Sequence, residues 1–288
     1  MNPEPTLTYV YAVVATTREL GALLADLRGV ADAPVTLLTP DAQEGAGPAA
    51  LAFVTSQVPD ADWREQALKA RFEDLDWLEV TARSHHHVIQ ALADHTTVLP
   101  LRMATLYQDG DRALAALREQ HRTFADRLAL LAHHTEYGVK AYIRPETDTA
   151  AADESPAPAT TPAPAAGPGK AYLRARKAQH HAREDRYRQA AQAAERIAAT
   201  AARHATHVVR HPTQTGPLTR GEAGENVLND AYLVPEDEAE TFRAAIRLAG
   251  EDLPGIRVEI TGPWAPYSFA MPPPPPPSEP ADEPGARS

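Results

Sequence analysis

The spacing of apolar positions changes period along the chain, and each change marks an element. Thr8 to Val14 is an unbroken β-branched and aromatic run, which predicts a strand. Leu20, Leu23, Leu24 and Leu27 follow at helical spacing and stop at Gly29. Val35 to Leu38 and Ala50 to Val58 predict two strands joined by a loop rich in turn residues around Pro40 and Gly45 to Pro48. Leu75, Leu78, Ala82, His85, Ile89 and Leu92 then form a narrow stripe, predicting a long helix over 74–94. Val98 to Leu101 and Met103 to Leu106 return to extended structure around Pro100. A second stripe, Leu114, Leu117, His121, Phe124, Leu128 and Leu131, predicts a helix over 111–135 that leads out of the unit.

The same order recurs further on. Gly138 to Ile143 reads as a strand, 170–206 as a helix with Tyr187, Ala190, Ala194, Ile197, Ala201 and Ala205 on one side, and Val208–Val209 and Val227 to Val234 as strands. Pro235 opens an acidic helix whose stripe is Ala239, Phe242, Ile246 and Ala249, with acids at its positive end. Ile256 to Ile260 closes the pattern. Both halves read β-α-β-β-α-β, so the expected class is α+β with two ferredoxin-like domains, each an antiparallel sheet with helices on one face. No sequence repeat links the halves. The expected division is 1–138 for the first domain with its exit helix and 139–271 for the second. A Pro/Ala-rich linker at 146–168 follows the second domain's first strand, and a Pro-rich acidic tail covers 272–288. Neither segment holds enough apolar area to offset backbone ordering, about 1–2 kcal/mol per residue, so both read as extended and disordered.

Composition narrows the function. With 28 Lys+Arg against 39 Asp+Glu the 288-residue chain carries a formal charge of −11, which argues against a general nucleic-acid binder. Cysteine is absent, excluding disulfides, thiol nucleophiles and cysteine-ligated metals. No apolar run reaches the ~18 residues of a membrane helix, and the first residues lack a signal peptide's basic start, so a cytoplasmic protein is expected. Charge is uneven in the second half: 169–211 holds ten basic and three acidic residues, whereas 235–252 holds six acidic and two basic. Either the two helices pair in a solvated arrangement, or the basic one docks an acidic partner.

Candidate chemistry is sparse. His85, His86 and His87 are consecutive and point in three directions on a helix; His85 and His121 sit in apolar stripes, as packed or groove-wall histidines do. His204, His207 and His211 have the i, i+3, i+7 spacing of one helix face, but no carboxylate completes them and Pro212 ends the helix. Asp74 reads as a helix N-cap or a first-turn acid. No nucleophile elbow, zincin, Walker or dinucleotide-binding motif occurs. The expectation is therefore no catalytic residue, no metal, no cofactor and no small-molecule substrate. What stands out is apolar: Gly262 to Phe269 places Trp264, Tyr267 and Phe269 within six residues. Of the three only Trp264 lies between Pro263 and Pro266, which keep the stretch from continuing as a central strand. It is either a segment closing over its own sheet or a stiff aromatic hook for a partner.

Several stretches together resemble the gas vesicle GvpL/GvpF family. They are Tyr9 to Val14, Asp74 to Glu79, Val98 to Arg102, Glu136 to Lys140, Ala171 to Leu173, Ala231 to Pro235, and Gly262 to Trp264 with Pro266 to Phe269. Ala104 stands where the family usually has Gly, Tyr137 where it has Trp, and Ala265 where it has Pro. The resemblance implies two α+β domains, the second ferredoxin-like, in a non-enzymatic accessory protein of gas vesicle assembly. Its partners would be the hydrophobic shell protein and other accessory proteins, and it would associate with the vesicle. Trp264, Tyr267, Phe269 and Arg102 are the candidate partner-binding residues. The competing class is a small-molecule or metal-responsive regulator, which requires a closed polar pocket with convergent donors.

Overall fold

The computed structural model describes residues 4–40, 50–144, 168–213, 224–251, 253 and 255–271. Residues 146–167 of the expected linker and the tail at 272–288 lie outside them. Their order is β1 (Thr6–Ala15), α1 (Leu20–Ala25), β2 (Thr36–Leu38), β3 (Leu51–Pro59), α2 (Asp60–Trp63), α3 (Glu65–Arg71), α4 (Leu75–Ala93), β4 (Val98–Tyr107), α5 (Gly110–Glu119), α6 (His121–Leu131), β5 (His134–Ile143), α7 (Pro168–Ala201), β6 (His207–Arg210), β7 (Glu225–Pro235), α8 (Ala239–Glu251) and β8 (Ile256–Trp264). The strands make two four-stranded antiparallel sheets, ordered β2-β3-β1-β4 and β6-β7-β5-β8. The described residues form two compact units, one of the residues up to Ala132 with Ala265 to Met271, the other within His133–Trp264. The first unit therefore ends earlier than residue 138 and recovers the C-terminal segment. The helix expected to run to 135 stops at Leu131, because His133 takes a left-handed φ of 58° and β5 starts at His134.

In the first unit the sheet is buried on both faces, not one. Tyr9, Tyr11, Ala12, Val14, Ala52 and Val54 pack under Leu20 and Leu24 of α1 and Val88, Ile89 and Leu92 of α4. Phe53 points the other way and meets Phe124 of α6 edge-on, with ring centroids 5.9 Å apart. Thus α5 and α6 return across the second face, where Ala113, Leu117, Phe124, Leu128 and Leu131 are buried. The expected single helix over 111–135 is broken at Gln120 (φ −97°, ψ 8°). That break takes His121 off the apolar stripe and leaves it exposed. Asp74 caps α4 as expected, its Oδ1 accepting from the N–H groups of Asp76 and Trp77 at 3.1 Å.

In the second unit the helices cover one face of the sheet. Tyr137, Val139, Ala141 and Ile143 of β5 face Ala190, Ala193, Ala194 and Ile197 of α7 and Phe242 and Ile246 of α8. Lys140, Tyr142, Arg257 and Glu259 occupy the opposite face, where the Arg257 guanidinium lies 4.5 Å from the Tyr142 ring centroid. Helix α7 ends at Ala201, short of 206, so His204 follows the helix, His207 opens β6 and His211 lies beyond it. The three share no helix face. His204 instead approaches Glu238, Nδ1 to Oε2 3.2 Å. Between Tyr172 and Asp185 every described side chain of α7 is exposed, and His180, His181 and Arg188 approach Glu184 and Asp185 of the same helix.

Candidate docking site

The two strands expected around Pro100 are one strand, β4, with a bulge inside it. Val98 to Pro100 and Thr105 to Tyr107 pair with β1, while the ladder shifts between Val10 and Ala12. Ala104 absorbs the distortion with φ 62°, a conformation that costs a residue with a Cβ roughly 1–2 kcal/mol.

A buried hydrogen-bond chain holds this bulge. The carbonyl of Leu101 only accepts, so His85 Nε2, 3.2 Å away, carries the proton, and His85 Nδ1 accepts from the Tyr9 hydroxyl at 2.8 Å. The same hydroxyl accepts from the Ala104 N–H at 3.1 Å. Each polar atom in the chain has a partner, consistent with its burial. Burial disfavours the imidazolium and lowers the His85 pKa to about 4; burial likewise raises that of Tyr9. His85 is thus a packed, neutral strap, the structural role read for it in the sequence.

The C-terminal segment lies against the same strand. Pro100, Leu101 and Arg102 of β4 line a shallow groove of about 190 Å³ with Tyr267, Ser268, Ala270 and Met271. The Tyr267 hydroxyl is 3.3 Å from His86 Nδ1, so the histidine next to the buried one meets the aromatic segment. Of the four candidate residues, Arg102 and Tyr267 come together here. Tyr267 is 37 % exposed and Arg102 is exposed, whereas Phe269 is only 5 % exposed and packs inward. Trp264, 42 % exposed, ends β8 in the other unit. The close approach before it requires glycine: a Cβ on Gly262 (φ 117°) would lie 2.7 Å from the Glu136 carbonyl oxygen. The sequence pointed to Tyr267 but not to Ser268, Met271 or His86. The only trace of His86 was its place beside a histidine in an apolar stripe.

One other cleft gathers perturbed groups. Asp230 and Tyr232 line a space of about 530 Å³ with Glu195, Ala198, Ala199, Ala202, Val208 and Arg210. Burial raises the Asp230 pKa, and the Tyr232 hydroxyl donates to its Oδ2 at 3.2 Å. This is a buried carboxylate held by its tyrosine partner. Among the described residues no three His, Asp or Glu side chains are grouped to hold a metal ion. No helix among them is long and apolar enough to cross a membrane.

Fold and site therefore define a two-sheet mixed α/β protein whose distinctive surface is a bulged edge strand clasped by an aromatic C-terminal segment. The chain matches the family described as "Gas vesicle synthesis protein GvpL/GvpF" over residues 7–271, and it belongs to that family. It is 38 % identical over 265 residues to gas vesicle protein L of a Streptomyces species, with 92 % of each chain covered. To gas vesicle protein F of the same organism it is 27 % identical, covering 91 % of this chain and 98 % of that one. Its fold is similar to the crystal structures of gas vesicle protein GvpF from Anabaena (TM-score 0.60, 15 % identity, 92 % and 96 % covered) and from Microcystis aeruginosa (TM-score 0.58, 16 % identity, 93 % and 99 % covered).

Proposed function

We propose that this chain is a non-enzymatic assembly factor of gas vesicles that binds the hydrophobic shell protein and other accessory proteins, holding the shell protein in solution or nucleating the shell. The observation that carries the reading is the 38 % identity to a gas vesicle protein L across 92 % of both chains. The lower identity to protein F of the same organism, 27 %, favours an L-type role. The strand orders, with the first strand of each unit beside its third and fourth, support reading both units as ferredoxin-like. In this account the protein is cytoplasmic and vesicle-associated.

The physical need is plain. A subunit that lines a gas space exposes apolar surface before it assembles, and such surface aggregates in water. A partner that covers it keeps it soluble. Exposed Tyr267 and Arg102 on the β4 groove supply an aromatic-plus-guanidinium surface of the kind that anchors interfaces, and Trp264, exposed at the end of β8 in the other unit, supplies a separate aromatic anchor. Phe269, packed inward, supports the segment from beneath. A pull-down of shell protein by the Arg102→Ala, Trp264→Ala, Tyr267→Ala triple variant tests this surface. Loss of capture by a variant with wild-type circular dichroism supports it, and undiminished capture removes these residues from the account.

A further inference from the structure

We propose that this protein pairs with a second copy of itself along the free edge of β8, joining two four-stranded sheets into one of eight strands. Among the described residues strand β8 is the edge of its sheet, hydrogen-bonded to β5 alone. Its register with β5 runs without interruption from Gly138 opposite Thr261 to Ile143 opposite Ile256, and the Arg144 N–H continues it by donating to the Gly255 carbonyl at 2.8 Å. In an antiparallel ladder the residues bonded to a given neighbour alternate. Gly255, Arg257 and Glu259 therefore bond towards β5, and the N–H and C=O groups of Val258 and Ile260 and the Ile256 C=O point out of the sheet; the Ile256 N–H donates to the Leu253 carbonyl at 3.1 Å.

That outward set fits itself. In an antiparallel pair centred on Val258, Val258 faces the partner's Val258, and Ile256 faces the partner's Ile260. Apart from the Ile256 N–H, the backbone groups of these residues are directed outward. On the other face Arg257 comes opposite the partner's Glu259, and Glu259 opposite the partner's Arg257. Within one chain Arg257 and Glu259 already lie 3.6 Å apart, so pairing builds an alternating quartet of charges. Ionic groups along an edge normally repel an arbitrary strand. Here their order, basic then acidic around a central valine, admits one sequence in one register: its own. The contact is isologous, as closed two-fold dimers require.

The flank of the strand agrees. A groove of about 470 Å³ runs beside β8, with Leu253, Ile256, Val258 and Ile260 as its apolar lining and Arg247 and Glu251 of α8 on its rim. Gly250 sits where a Cβ would be 3.0 Å from Val258 Cγ2, so α8 lies close on this strand.

The test is the oligomeric state of the full chain by sedimentation velocity, with three variants and a cross-link. Wild type should sediment at twice the 31.1 kDa chain mass. Arg257→Glu, which sets like charges across the pair, should shift it to the single-chain mass, and the swap Arg257→Glu with Glu259→Arg should restore the dimer. Val258→Pro, which removes an outward N–H without touching the bonds to β5, should also give the single-chain mass. Because the chain has no cysteine, Val258→Cys should oxidise to a covalent dimer, while Thr261→Cys, about six residues from its symmetry mate in this register, should not. A wild type at the single-chain mass, a dimer indifferent to Arg257→Glu and Val258→Pro, failure of the swap to restore pairing, or equal cross-linking at both cysteines would each overturn the proposal.

Discussion

The two sheets share a strand order but not a solvent exposure, and the difference traces to single strands. β1 is apolar at every position from Tyr9 to Val14 and is covered above by α1 and α4 and below by α5 and α6. β5 alternates Tyr137, Val139, Ala141 and Ile143 with Glu136, Gly138, Lys140 and Tyr142, and both of its unit's long helices lie on one face. A continuous apolar run suits a strand covered by helices on both faces, and alternation one covered by helices on a single face. On the other face of β5 only Glu136 and Tyr142 are themselves buried. One topology thus yields a closed module with a strapped edge strand and a second module with an open, charge-patterned edge.

The comparison can be broken most directly at Phe53, on the second buried face of the first unit. Phe53→Ala should destabilise by about 3–5 kcal/mol in chemical denaturation, whereas Lys140→Ala, on the corresponding face of the second unit, should stay within ~0.5 kcal/mol. Equal small losses would show that the second face contributes no packing.

Acid should act on the first unit through His85. Its folded-state pKa of about 4 lies below the ordinary 6.5, so the unfolded chain takes up the proton first. The stability it contributes is full above pH 6.5 and is lost as pH falls towards 4, a change on the order of 3 kcal/mol. Denaturation curves at pH 7, 5.5 and 4.5 should show this slope in wild type and a shallower one in His85→Gln.

Tyr9→Phe deprives both His85 Nδ1 and the Ala104 N–H of a partner and should cost about 1–3 kcal/mol, with faster amide exchange along β4. Ala104→Gly relieves the left-handed backbone and should raise stability by up to ~1 kcal/mol, read as a higher melting temperature. Unchanged or lowered stability would mean that the bulge carries no strain at Ala104.

Much of this was legible along the chain. The Asp74 cap, the α4 stripe and both strand-helix orders follow from local spacing, because propensity and burial agree there. The folding back of α5 and α6 was not, since a stripe says that a helix has an apolar face but not which sheet surface receives it. The unbroken run in β1 held that information. The short helices α2 and α3 carry too few turns to show a period, and the end of α6 depends on the backbone of His133, which no pattern announces. The docking groove is tertiary: Arg102 and Tyr267 are far apart in sequence and meet because Ala265 and Phe269 pack with the first unit.

The account's central claim, that the chain keeps an aggregation-prone shell protein competent for assembly, is tested most directly by co-expressing the two proteins and measuring the shell protein in the soluble fraction. The account predicts a large soluble fraction when this chain is present and its loss when the chain is omitted. A shell protein whose solubility is the same in both cases would contradict it.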